Sequence, residues 1–214
     1  MAVFNLASVF PGHLNIEADQ SNLLVLRHWL ASLGHGVNLH AITNDEQFSR
    51  LASFDFVLVG HGVPSAWMQI ESLQPKLQSL IRAAIDANVS GLLVASGWDR
   101  QAESRGQVLA TGERKSLFAT GTIEPGSHDR VFGYVNSTTK SRVIAVDNDF
   151  LLTQLHGPLF AKNSWLTLAV VNRMLEKRGL QPFQDISHYE NLKKIRELEI
   201  QAIAANEYSD EPLL

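Results

Sequence analysis

The sequence predicts a three-layer α/β domain, with a mostly parallel central sheet and helices on both faces. Three observations predict it. Strand-like and helix-like segments alternate from Ala2 to Val94 in a β-α-β-β-α-β rhythm. One strand candidate, 91–94, is wholly apolar, as a strand covered on both faces must be. Two strand candidates run into small-residue turns, Gly60-His61-Gly62 and Ala95-Ser96-Gly97. In open parallel sheets, sites lie beyond the carboxyl ends of the strands, where such turns fall.

Each element has its own justification. Residues 2–9 are apolar and β-branched enough for a first strand. A helix is predicted over 20–33, with Leu23, Leu26, Leu30 and Leu33 on one face, Asp19 or Ser21 as its cap and Gly34 as its stop. Residues 37–42 alternate like a strand, and 54–59 form another that ends at the first glycine turn. Leu77, Leu80, Ile81, Ala84 and Ile85 mark a second amphipathic helix. The middle is less regular: a short strand is predicted at 117–123, then strands at 130–135 and 142–146 joined by a polar loop at 136–140. The apolar segment 151–158 ends in the turn His156-Gly157-Pro158, and a helix follows over 164–177, stopped by Gly179. The chain divides into a domain at 1–186 and a tail at 187–214. In that tail Leu192, Ile195, Leu198 and Ala202 form the apolar stripe of a charged helix, and the last residues are acidic.

Composition narrows the function classes. Of 214 residues, 45% are hydrophobic and 19% charged, enough for a normal buried core. A net charge of -4 gives no basic footprint for nucleic acid. Cysteine is absent, which removes disulfides, thiolate metal sites and thiol nucleophiles together. No signal-peptide pattern and no membrane-length apolar run is present, so the expectation is a cytoplasmic protein without a membrane span. The histidines are scattered and show no metal-ligand spacing; neither metal nor cofactor is expected.

The two small-residue turns define the candidate chemistry. A sharp strand-to-helix turn exposes one side chain above the sheet, and the next backbone N–H helps form an oxyanion hole. Such a site needs a nucleophile, a histidine base and an orienting acid. His156, directly after an apolar strand, is the best base. Ser96 is one candidate nucleophile. Trp67, Trp98 and Tyr134 are candidate exposed aromatics for a stand-alone binding module that would also use the tail helix.

At four ordered segments the chain resembles the class I, or triad, glutamine amidotransferase-like family of the CobB/CobQ type, whose fold is flavodoxin-like. The nearest resemblance is to the GatD subunit of lipid II isoglutaminyl synthases. Residues 14–27 resemble the family's opening LN…D..N…LR stretch. Residues 54–62 resemble the strand and glycine turn that lends an oxyanion N–H, and 91–99 the nucleophile elbow. Residues 154–163 resemble the LHGP…KN segment with the catalytic histidine. The resemblance implies glutamine hydrolysis through a cysteine thioester, with ammonia passed to a synthetase. In GatD that partner is a Mur-ligase-like subunit, and the product is an amidated peptidoglycan precursor.

The departures are specific. Aligned on Gly91 and Gly97, the family cysteine falls on Ala95 and its glutamine on Asp99, while Ser96 takes the oxyanion N–H position. Pro158 stands where a His-x-Glu triad would place its acid, and residues 114–117 offer no clear arginine for substrate. The expectation is therefore an amidotransferase fold without glutaminase activity, serving as subunit, scaffold or regulator. Its base position is His156, its vacant nucleophile position Ala95, and its ligand-facing positions Gly60, His61, Gly62, Gly97 and Asn136. A small carboxylate or amide and a Mur-ligase-like or other synthetase subunit are the expected ligand and partner. The alternatives are a serine hydrolase using Ser96 with His156, or the binding module.

Overall fold

The computed structural model describes residues 1–123, 130–183, 194, 197–199 and 201. In chain order the elements are β1 (Val3–Val9), α1 (Ser21–Ser32), β2 (Gly36–Ile42), β3 (Phe56–Val59), α2 (Pro64–Gln69), α3 (Gln74–Asp86), β4 (Ser90–Val94) and α4 (Ser96–Ser104). There follow β5 (Thr111–Thr122), β6 (Arg130–Thr139), β7 (Ile144–Asp147), β8 (Phe150–Thr153), β9 (Leu155–His156), α5 (Leu159–Lys162) and α6 (Ser164–Lys177). The central sheet has six strands in the order β2-β1-β3-β4-β8-β7, and a second sheet runs β5-β6-β9. The first five strands of the central sheet are parallel and edge strand β7 is antiparallel. One face packs Phe4, Leu6, Leu58 and Leu92 against α1 and α6; the other packs Val9, Val57 and Leu93 against α3 and the 3-10 segment Asp45–Ser53. This is the three-layer arrangement that the alternating pattern predicts.

The apolar periodicity places the helices well. Leu23, Leu26 and Leu30 are buried on α1, and Gly34 ends it at φ +81. α6 spans the predicted residues, and Gly179 follows at φ +66. The predicted cap is corrected. Gln20 stands at the N-cap of α1 with no side-chain cap bond, and its N–H donates to Asn15 Oδ1 at 2.9 Å. The middle is corrected too: residues 136–139 are not a loop but the end of β6, and β5 begins at Thr111. β6 and β7 do not form a hairpin; they belong to different sheets. Of the tail, 194, 197–199 and 201 are helical. Leu198, the one described member of the predicted stripe, is 63% exposed, whereas Glu199 is buried and accepts the Ser164 N–H at 2.7 Å at the start of α6. Leu192, Ile195 and Ala202 lie outside the described residues.

Two features bring the site together. The first is a change of sheet. Thr153 ends β8 with Oγ1 donating to the Val143 carbonyl (3.0 Å) and accepting the Leu155 N–H (3.0 Å). The chain thus leaves the central sheet at Gln154 and pairs His156 with Tyr134 of β6. The second is a buried polar strut before and within α1. Asp19 Oδ2 accepts the His61 N–H at 2.7 Å. Asn22 Nδ2 donates to the Gly157 carbonyl (3.3 Å), and its Oδ1 accepts the Phe160 N–H (3.0 Å). Both side chains are fully buried. Together they pin the His61 turn and the His156-Gly157 turn to one helix start, an arrangement that leaves few backbone groups in those turns unbonded.

Two consequences can be measured. Gly91 lies where a Cβ would come within 2.2 Å of the Phe150 ring, itself fully buried. Gly91→Ala is expected to lower stability by about 1–3 kcal/mol in urea denaturation. Asp19 has its pKa raised to about 7, chiefly by burial, against the opposing His61 backbone bond. The native state therefore holds a proton that the unfolded chain releases near pH 4. Asp19's contribution is fully present below that pH and is lost as pH rises through about 7. Relative to Asp19→Asn, the wild type is expected to lose on the order of 2–4 kcal/mol between pH 4 and 8. A pH-independent difference between the two would contradict this.

Candidate functional site

The site lies beyond the carboxyl ends of β1, β3 and β4, where three loops converge. Its centre is the turn from β4 into α4. Ala95 there has φ 45 and ψ -110, a conformation that L-residues adopt only under constraint. The constraint is visible on both sides. The Ala95 N–H donates to the Thr153 carbonyl at 2.7 Å, and its own carbonyl accepts the Asp99 N–H at 2.9 Å, starting α4. Glycines let the loops meet. A Cβ on Gly97 would stand 2.8 Å from the Val59 carbonyl oxygen, and one on Gly60 would stand 2.2 Å from that of Leu14. On Gly62 it would meet the Leu14 side chain at 2.6 Å. The backbone is thus that of a nucleophile elbow, with a buried methyl at its apex.

The N–H groups around that apex are already used. The Ser96 N–H, one step after the apex, donates to His61 Nδ1 at 3.3 Å. The Gly62 N–H donates to Ser96 Oγ at 2.9 Å, and the His61 N–H goes to Asp19. The Ser96 hydroxyl also accepts from Trp67 Nε1 (2.8 Å) and donates to the Gly62 carbonyl (3.0 Å). Its hydrogen-bonding capacity is spent on the β3–α2 loop. The backbone N–H groups of His61, Gly62 and Ser96 each have an internal acceptor.

His156 is 1% exposed and faces His61, ring centroids 4.8 Å apart and planes 74° apart. Burial is the main cause holding both rings neutral: His61 is lowered to about 4, further depressed by His156, and His156 is also lowered. A neutral His61 accepting at Nδ1 carries its proton on Nε2. Glu17 opposes the shift at His156, with Oε2 3.8 Å from His156 Nδ1. Glu17 comes from the β1–α1 loop, where it and Ala18 hold φ of 61 and 64. Its Oε1 accepts from Asn136 Nδ2 (3.1 Å), and Asn136 Oδ1 accepts from Arg114 Nε (2.7 Å) and Ser116 Oγ (3.1 Å). Lys162 Nζ donates to the His156 carbonyl at 3.3 Å. A base, an acid and cationic groups therefore stand together around an apex without a nucleophile.

The structure brings Gly60, His61, Gly62, Ala95, Ser96, Gly97 and His156 into one corner, with Asn136 linked to it through Glu17. Asp99, at the position of the family glutamine, instead accepts from Thr139 Oγ1 (3.0 Å) and Gln154 Nε2 (2.8 Å). Trp67 is buried at 2% and is not an exposed aromatic; Trp98 and Tyr134 are partly buried. Sequence reasoning missed three contributors. Glu17 and Asp19 lie inside the quoted LN…D..N stretch, but their roles need the fold. Arg114 could be found only once β5 was placed beside β6. Among the described residues, no group of three His, Asp or Glu side chains is placed to hold a metal ion, and no helix is long and apolar enough to cross a membrane.

No family model matches the chain, and no curated protein matches it. Solved structures do. A glutamine amidotransferase from Thermotoga maritima is similar at a TM-score of 0.50 and 12% identity, over 94% of this chain and 96% of that one. PurLQS from Thermotoga maritima is similar at 0.49 and 9% identity, over 82% and 98%. The chain thus has a class I glutamine amidotransferase-like fold: a mostly parallel, flavodoxin-like sheet flanked by helices.

Proposed function

We propose that this chain is a CobB/CobQ-type amidotransferase-like protein, GatD-like in design, that does not hydrolyse glutamine and acts as a subunit, scaffold or regulator. One observation carries the reading: the elbow apex is Ala95, and the Ser96 N–H beside it is bonded to His61 Nδ1. A methyl group cannot form a thioester, and loss of a nucleophile alone costs about 10^4–10^6 in rate. The internal bond removes the second requirement, an N–H free to meet a developing oxyanion. The remaining His156–Glu17 pair is a base with nothing at the apex to deprotonate. A Mur-ligase-like or other synthetase subunit is the proposed partner. A small carboxylate or amide would enter only by displacing the His61 ring.

The three bonds of the Ser96 hydroxyl weigh against a serine hydrolase. A fluorophosphonate probe is expected to leave the wild-type chain unlabelled, and labelling lost on Ser96→Ala would reverse that conclusion. The main test is stepwise restoration. Wild type is expected to release no ammonia from glutamine, and Ala95→Cys alone is expected to stay close to background. Adding His61→Gly is expected to raise turnover by about 10^2–10^3, the worth of one oxyanion donor. Iodoacetamide alkylation of the introduced thiol gives a readout independent of glutamine. Glutamine hydrolysis by the wild-type chain would overturn the proposal.

A further inference from the structure

Among the described residues, edge strand β2 lacks the guards that edge strands β5 and β7 carry. β5 carries Glu113, Arg114 and Lys115 and breaks register between Thr111 and Lys115. β7 has four residues and ends in Asp147, which binds Arg82 and Arg105. These are the ordinary devices that stop a sheet edge from pairing with another chain. β2 reads Gly-Val-Asn-Leu-His-Ala-Ile, seven residues in unbroken register with β1, with no carboxylate, lysine, arginine or proline. The Gly36 N–H donates to the Ala2 carbonyl (2.9 Å), and the Ile42 carbonyl accepts the Phe10 N–H (2.7 Å). Residues 36, 38, 40 and 42 therefore turn their backbone toward β1. Val37, Leu39 and Ala41 turn their N–H and C=O groups outward. Leu39 is 39% exposed, and Leu24 on α1 is 46% exposed.

We propose that the β2 edge is a homodimer interface, occupied by β2 of a second copy of this chain in antiparallel pairing about a two-fold axis through Leu39. The register follows from the outward groups. Leu39 stands opposite Leu39 of the second copy, and Val37 opposite Ala41, each pair exchanging both backbone bonds. The strand is self-complementary in the same register. Asn38 then falls opposite His40 of the second copy, in the close, non-hydrogen-bonded pairs. Within one chain, Asn5 Oδ1 accepts from Asn38 Nδ2 (3.2 Å) and lies 3.1 Å from His40 Nε2. An amide oxygen only accepts, so His40 donates from Nε2, and in the tautomer protonated there Nδ1 is an acceptor. The second Asn38 amide hydrogen of the other copy supplies the donor. The two central sheets would join into one continuous sheet across the axis, and this occupant removes the exposed edge on both copies at once.

Sedimentation equilibrium of the full chain at tens of micromolar is expected to give twice the monomer mass. Hydrogen exchange at the Val37, Leu39 and Ala41 amides is expected to slow as protein concentration rises. Leu39→Lys places two like charges opposite each other on the axis and is expected to raise the dimer Kd at least ~10-fold. Thermal melting monitored by circular dichroism checks that this exposed position leaves the fold intact. A monomer throughout the concentration range would overturn the proposal. So would a dimer unchanged by Leu39→Lys, or one whose three outward amides exchange freely.

Discussion

The site depends on one steric constraint: three loops meet backbone to backbone above the parallel sheet. The β1–α1 loop touches the β3–α2 loop at Gly60, where the Leu14 carbonyl leaves no room for a Cβ. The β3 end in turn touches the elbow at Gly97. These contacts fix the path of the chain around Ala95 and force its φ of 45. The conformation is costly for any residue with a side chain, on the order of 1–3 kcal/mol. It persists because bonds to Thr153 and Asp99 hold both ends of the residue. The apex thus holds a strained strand-to-helix turn around a side chain that is only a methyl group.

The surroundings of that apex are shaped by electrostatics. Two buried neutral imidazoles lie edge to face, and one of them accepts the N–H that an oxyanion would need. Desolvation keeps that ring an acceptor, because a charged ring has no lone pair to offer at Nδ1. The carboxylate of Glu17 sits beside the second imidazole without a hydrogen bond to it at 3.8 Å. Asn136 and Arg114 extend this carboxylate into a chain of polar contacts from β5 to the β1–α1 loop. The result is a site in which His61 and Ser96 are held by internal bonds, while both ring nitrogens of buried His156 have no hydrogen-bond partner.

The sheet and its helices were legible because apolar periodicity is a local signal. Leu23, Leu26 and Leu30 announce α1, and the continuous run before Ala95 announces a covered strand. The middle was less legible because β5 and β6 are half-exposed: Glu113, Arg114 and Lys115 mask the start of β5, and 136–139 read as a polar turn. The corner residues Ala95, Ser96, His61 and His156 were visible from motif order. Their relations were not. That His61 Nδ1 meets the Ser96 N–H, or that Glu17 approaches His156, depends on contacts between loops far apart in the chain. Asp19 looked like a helix cap for the same reason: its acceptor role is local in sequence, but its donor lies on β3's turn.

The central claim is that His61 holds the Ser96 N–H in place of a ligand. Long-range proton–nitrogen NMR of the histidine rings at pH 7 tests it directly. The account predicts a neutral His61 with its proton on Nε2, an Nδ1 shift typical of an unprotonated acceptor, and a coupling across the bond to the Ser96 amide. A His61 ring protonated at Nδ1, or charged at that pH, would contradict it.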